Sequence, residues 1–370
     1  MKRCLVISDS FKGTLSSPAI CRIARSLSVP GWQVDALPVA DGGEGTVDCF
    51  LDACGGQRVT AAVSDPFGAE MESFYALLPD GTAVVECAAA AGLPLAEGRL
   101  DPERASTYGV GQLMAAALDS GAKRLILGLG GSCTNDGGCG AAAALGIRFF
   151  DREGRSFVPT GGTLADIADI DLSCRHPALN DVPLTVMCDI DNPLYGAQGA
   201  AYIFAPQKGA DAACVRRLDA GLRHFAAVLR QRLGVSVDDL PGGGAAGGFG
   251  AGCAALLSGT LRSGIETVLD TVDFDRRAAG YDLIVTGEGR LDSQSLGGKA
   301  VSGVAGRCRA LGVPVAALVG ALALEPGDLA ALRLCSARSI NPDGVSFQDA
   351  KAHAAAYYRD ALVNLLEEMI

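Results

Sequence analysis

Arg124-Leu-Ile-Leu-Gly-Leu-Gly-Gly-Ser-Cys-Thr-Asn-Asp-Gly-Gly-Cys-Gly-Ala-Ala-Ala-Ala-Leu145 reads in three parts: a short apolar run, a polar glycine-rich turn and an apolar helical start. Strand, glycine loop, helix is the repeating unit of an α/β fold. Six of the thirteen residues from Gly128 to Gly140 are glycine. Glycine lets a backbone approach a ligand closely, and a helix N-terminus carries partial positive charge. Phosphate oxygens would therefore find donors along Gly130, Gly131, Ser132, Thr134, Asn135, Asp136 and Gly137. A purely structural tight turn is the alternative.

The same rhythm extends in both directions. Short apolar runs at Cys4 to Ile7, Val34 to Val39, Leu184 to Met187, Leu283 to Val285 and Val313 to Val319 alternate with helical stretches. Their continuity, rather than alternation, predicts parallel sheets covered on both faces. Ser17-Pro18 predicts a helix start, and the spacing of Tyr357, Tyr358, Ala361, Leu362, Leu365 and Met369 predicts a last helix beginning near Asp349. Val59 to Cys87 is different, because two apolar runs joined by Pro79-Asp80-Gly81 read as an antiparallel hairpin. The expected organisation is a discontinuous α/β domain of residues 1–64 and 281–370, with a second α/β domain of residues 65–280 inserted and carrying the glycine loop. The glycine-rich stretch from Leu240 to Cys253 is read as a loop, either a connection or a close approach to a ligand. Its Gly-x-Gly-x-x-Gly match at Gly242, Gly244 and Gly247 follows no hydrophobic strand and is rejected as a dinucleotide fingerprint.

With 370 residues, 49% of them apolar and 20% charged, two well-packed domains are affordable. No apolar run reaches bilayer length and no signal-peptide pattern opens the chain, so the expectation is a cytoplasmic protein without a membrane segment. A net charge of −11 excludes a general nucleic-acid surface and leaves room for a local anion site. Thirteen scattered cysteines form no Cys-x-x-Cys pair and read as small buried hydrophobes. The Walker pattern and the Gly-x-Ser-x-Gly elbow are both absent. The three histidines lie outside every polar cluster, which argues against a histidine base.

Other strand ends carry polar residues too. Asp9-Ser10-Phe11-Lys12 follows the first strand, and Asp41-Gly-Gly-Glu44 follows the second. Ligands gather at such ends, although caps use the same residue types. Thr286-Gly-Glu288-Gly-Arg290-Leu-Asp292-Ser-Gln294-Ser295 is the densest cluster, with Arg290 suited to grip a carboxylate or phosphate. Asp189 and Asp191, after Leu184 to Met187, can share a hydrated magnesium or form a capped turn before Pro193.

Taken together, Asp9 to Thr14, Asp41 to Thr46, Ser106 to Gly109, Gly128 to Gly138, Cys188 to Leu194 and Thr286 to Ser295 closely resemble the bacterial glycerate kinase family that acts on D-glycerate. The resemblance spans nearly the whole chain. It implies a two-domain enzyme with a flavodoxin-like (Rossmann-like) parallel sheet domain, an inserted α/β domain and an active site in the interdomain cleft. It also implies transfer of the γ-phosphoryl of ATP to glycerate, giving 2-phosphoglycerate. From that reaction class, the Gly128 to Gly140 loop is expected to hold ATP phosphates and Asp189 and Asp191 to hold Mg²⁺. Lys12 and Arg290 would clamp the carboxylate or the migrating phosphoryl, and Asp41 or Asp292 would accept the hydroxyl proton. Asp9, Ser10, Glu44, Glu288, Gln294 and Ser295 are the expected substrate contacts. A 3-phosphoglycerate product, a related hydroxy acid such as tartronate, or a non-catalytic sensor are the alternatives. A homodimer is left open.

Overall fold

The computed structural model describes residues 1–11, 13–292, 300–323 and 332–369. The chain divides into two compact units, one of residues 1–41, 48–54 and 263–370 and the other of residues 42–47 and 55–262.

The first unit is built on a five-stranded, wholly parallel sheet in the order Ser336–Ser339, Val315–Val319, Leu283–Gly287, Lys2–Ser8, Trp32–Pro38. Residues 4–8, 283–287 and 315–319 are buried throughout, as expected for strands covered on both faces. Alternate residues serve the two sides. Cys4, Val6, Leu283, Val285, Ala316 and Leu318 pack with helices Ser17–Arg25 and Phe347–Glu368, whereas Ala317 and Val319 pack with Val301 of helix Ala300–Leu311. From the adjacent strands Lys2–Ser8 and Leu283–Gly287 the strand order runs outward in opposite directions. A doubly wound sheet opens a crevice beyond the C-terminal ends of such a pair.

Helix Ala300–Leu311 is tied to two shorter helices by one side chain. The Arg307 guanidinium donates to Glu266 at 2.7 Å, to Asp275 at 2.9 Å and to Asp270. These bonds hold its own pKa above the ordinary arginine value. Arg307→Ala would leave three carboxylates facing one another. It is expected to cost about 1–2 kcal/mol in thermal unfolding at low salt, with a smaller loss at high salt as their repulsion is screened.

The second unit centres on a six-stranded mixed sheet in the order Thr260–Arg262, Leu184–Met187, Arg124–Gly128, Thr82–Glu86, Glu70–Leu77, Gln57–Ser64. The first four strands pair in parallel, whereas Glu70–Leu77 is antiparallel to both of its neighbours. The hairpin at residues 79–81 turns on Gly81, at φ +86°, with the Asp80 carboxylate accepting from the Thr82 amide at 2.9 Å. The antiparallel element expected over Val59 to Cys87 holds a third strand besides the two joined at residues 79–81. Gln57–Ser64 pairs along its whole length with Glu70–Leu77, from Gln57↔Leu77 to Ser64↔Glu70. The expected boundary at 64/65 therefore moves to 54/55. The boundary expected at 280/281 moves to 262/263, because Gly264–Thr271 and Phe274–Ala278 are the helices gripped by Arg307.

The stretch from Leu240 to Cys253 also departs from its reading as a loop. After turns through residue 244 it enters helix Ala245–Leu256, whose start is kinked by left-handed backbone at Ala246, Gly247 and Gly248. Its glycines serve packing. A Cβ on Gly247 would sit 2.2 Å from the Thr134 carbonyl oxygen, one on Gly252 2.0 Å from that of Gly137, and one on Gly244 2.3 Å from that of Pro193.

Candidate active site

The loop after strand Arg124–Gly128 is clasped between two other glycine stretches of the same unit. On one side, Gly130 donates its amide to the Gly42 carbonyl at 2.9 Å, and a Cβ at Gly128 or Gly130 would collide with the backbone of Gly42 or Gly43. On the other, Gly137 donates to the Gly247 carbonyl at 3.0 Å. The 42–47 segment is anchored in turn by buried Glu86, whose carboxylate accepts from the amides of Val47 and Gly45.

Asp136 fixes the far end of the loop. Its fully buried carboxylate accepts from the Thr107 amide and hydroxyl, both at 2.8 Å, from the Gly138 amide at 3.0 Å and from the Gly140 amide at 3.3 Å. Thr107 passes the link on, its hydroxyl accepting from the Ala141 amide at 2.9 Å. One carboxylate thus joins the starts of helices Tyr108–Asp119 and Cys139–Ala144. Burial pushes its pKa up, against the downward pull of those four donors. The Gly130 and Gly137 amides and the Asp136 carboxylate are engaged within the protein.

What the loop leaves unpaired lies upstream. The Thr134 hydroxyl and both ends of the Asn135 amide are buried with no hydrogen-bond partner. Beside them stands a residue that sequence reading did not single out. Lys208, 2% exposed at the end of the Pro206–Lys208 turn, donates from Nζ to the Ser132 hydroxyl at 3.0 Å and to the Thr134 carbonyl at 2.7 Å. Burial lowers its pKa to about 8. A lysine in a Pro-x-Lys-Gly turn carries no periodic or motif signal, so nothing in the sequence marks it.

In the first unit, Asp9 and Ser10 stand at the end of Lys2–Ser8, the Asp9 amide donating to the Gly287 carbonyl at 2.9 Å and the Ser10 amide to the Asp9 carboxylate at 2.6 Å. Buried Glu288 follows the adjacent strand, so these three share the crevice end of the sheet. Thr286, in that strand, keeps a buried hydroxyl with no partner. Arg290 and Asp292 pair with each other at 3.2 Å. Asp41 is half-buried after Trp32–Pro38, and Glu44 is exposed in the 42–47 segment. Lys12, Gln294 and Ser295 lie outside the described residues.

Asp189 and Asp191 are exposed just beyond Leu184–Met187. Among the described residues no three His, Cys, Asp or Glu side chains gather as a metal cage. Magnesium does not require one, since it commonly takes one or two carboxylates and completes its shell with water and substrate phosphates. Two exposed hard-oxygen donors at alternate positions fit that habit.

A chain that combines a parallel sheet with polar strand ends and a second sheet whose loop buries an unpaired amide and a lysine is matched by one family model, that of the glycerate kinase family, over residues 4–369. The chain belongs to the glycerate kinase family. Relatives agree over most of the length. A Bacillus subtilis glycerate kinase is 43% identical over 359 residues, covering 95% of this chain and 94% of its own. An Escherichia coli glycerate 2-kinase is 42% identical over 329 residues, covering 87% and 86%. A crystal structure from Salmonella typhimurium LT2, provisionally named glycerate kinase 2, superposes with a TM-score of 0.86 at 37% identity, covering 100% of this chain and 98% of that one. The α/β architecture is thus that of the kinase family, and the chain is a glycerate-phosphorylating enzyme.

Proposed function

We propose that this kinase transfers the γ-phosphoryl of ATP to the 2-hydroxyl of D-glycerate, with Mg²⁺ as the metal. The observation that carries the site assignment is the Thr134 hydroxyl and Asn135 amide, buried without partners beside Lys208. An unpaired buried amide costs about 1–3 kcal/mol, and a protein retains such groups where a ligand satisfies them. The Gly131 to Asn135 segment then receives anionic phosphate oxygens. Asp136 and the flanking glycines hold that segment in shape.

Arg290 and Lys12 take the glycerate carboxylate or the migrating phosphoryl, and Asp9, Ser10, Glu44, Glu288, Gln294 and Ser295 orient the acid. Asp292 or Asp41 accepts the proton of the attacking hydroxyl as the new O–P bond forms and the bond to the ADP oxygen breaks. Asp189 and Asp191 would hold Mg²⁺; what the ion supplies when bound is neutralisation of charge on the phosphate oxygens. Phosphoryl transfer needs positioning and charge stabilisation rather than a covalent enzyme intermediate. No helix among the described residues is long and apolar enough to cross a membrane. The cytoplasm, whose reducing conditions suit a chain with thirteen scattered cysteines, is the proposed location.

Phosphorus NMR of the protein with D-glycerate, ATP and Mg²⁺ tests this directly. A metal-dependent phosphomonoester signal on C2 is expected. A signal on C3 would replace the proposed regiochemistry, and turnover undiminished by chelation would remove Asp189 and Asp191 from their role.

A further inference from the structure

Among the described residues Lys208 is the one buried lysine, and no described carboxylate lies within ion-pair distance of it. Its ammonium meets two neutral oxygens, the Ser132 hydroxyl and the Thr134 carbonyl. Those two bonds span the start and end of one short segment, and the next polar atoms along it are the unpaired Thr134 hydroxyl and Asn135 amide. A charge buried in this way is costly unless something compensates it. An anion received at the Ser132 to Asn135 segment would.

We infer that Lys208 is a positioning residue for phosphoryl transfer: its ammonium braces the Ser132 hydroxyl against the Thr134 carbonyl and so presents the Thr134 hydroxyl and the Asn135 amide to an anionic oxygen of the nucleotide. The inference rests on the reading of that segment as the phosphate site. Ser132 is held from its other side as well. The segment pairs with residues 91–93, the Leu93 amide donating to the Gly131 carbonyl and the Cys133 amide to the Ala91 carbonyl, both at 2.9 Å. With its backbone so placed, the side of the segment that Lys208 braces is the side whose geometry depends on charge.

The groups that act electrostatically on Lys208 are Cys87, Cys133 and Asp136. Burial raises both thiols, Cys133 to about 11 and Cys87 further, so neither ionises where Lys208 does. The Asp136 carboxylate is committed to Thr107, Gly138 and Gly140. Lys208 is thus the group of this set that titrates near pH 8. The sign follows: the brace is charged below about pH 8 and is lost as pH rises through it, so nucleotide use falls on the alkaline side.

The experiment is the pH profile of kcat/KM for ATP in wild type, Ser132→Ala, Lys208→Arg and Lys208→Met, with circular dichroism melts alongside. Wild type is expected to show an alkaline limb with an apparent pKa near 8. Ser132→Ala removes a hydrogen bond to the ammonium and is expected to move that limb to lower pH. Lys208→Arg, which stays charged, is expected to move it beyond the measured range. Lys208→Met is expected to lose about 10²-fold or more below the limb. If Lys208→Met does not fold, the limb shifts in the other two variants decide. A limb unmoved by Ser132→Ala and Lys208→Arg, or a folded Lys208→Met within a few-fold of wild type, overturns the inference. Asn135→Ala separates the two levels: if it loses turnover while Lys208→Met keeps it, only the role of Lys208 falls, and if both keep it the phosphate-site reading falls too.

Discussion

Asn135→Ala is expected to cost about 10²-fold or more in kcat/KM while leaving the melting temperature level or raised. Ordinary core substitutions lower stability because they remove contacts that the folded state uses. Asn135 is unlike them, since neither its Oδ1 nor its Nδ2 bonds to anything in the protein although the residue is fully buried. Deleting the amide removes groups that folding strips of water without replacement. In the unliganded enzyme that change should be neutral or gain about 1 kcal/mol. The ligand, in contrast, loses a donor and acceptor placed before it arrives. Steady-state kinetics and thermal melts on the same preparation test the pair of effects. A variant that melts lower and turns over normally would identify Asn135 as a structural residue.

Gly247→Ala should do the opposite and damage stability first, by more than about 4 kcal/mol. The backbone there has φ +69°, and the added Cβ would sit 2.2 Å from the Thr134 carbonyl oxygen and 2.4 Å from the Asn135 Cα. Both obstacles are backbone, which cannot rotate aside. Gly234 supplies the comparison, having the same φ of +69° with nothing within 4 Å of the place an added methyl would take. Gly234→Ala is expected to cost only the left-handed conformation, about 1–2 kcal/mol. Denaturant unfolding of the two variants isolates the collision from the dihedral. Any Gly247→Ala protein that folds has displaced Thr134 and Asn135, so its turnover should fall as well, whereas that of Gly234→Ala should not. Equal stability losses would mean that the two glycine stretches do not depend on close backbone contact.

The parts of this fold that could be read from sequence are those where one physical demand dominates. Residues 4–7, 124–127 and 283–285 are apolar almost without interruption because helices or other strands cover both faces, and nothing else in a chain of this composition writes that pattern. Gln57–Ser64 was not set apart as a strand of its own because it lies at a sheet edge with alternate residues exposed, so no continuous apolar run marks it and only its partner strand reveals it. The glycines between Leu240 and Cys253 were visible but ambiguous. Composition does not distinguish a chain that needs mobility from one that must lie against another backbone, and these do the latter.

In the candidate site, Ser132, Thr134 and Asn135 stood out as polar residues at a strand end. The inward aim of Asp136, in the same run, depends on Thr107, which local sequence does not supply. Lys208 depends on a chain reversal that brings a distant turn beneath the loop, and no spacing rule encodes that.

The carboxylate of Asp136, shared between two helix starts, also fixes when the loop acquires its shape. Because Thr107, Gly138, Gly140 and, through Thr107, Ala141 are bound to one buried group or its partner, the loop cannot loosen without loosening both helices. Its ordering entropy is lost when the unit folds. A nucleotide bound there as proposed would therefore meet a preformed receptor, and little of its binding energy would be diverted into freezing the polypeptide.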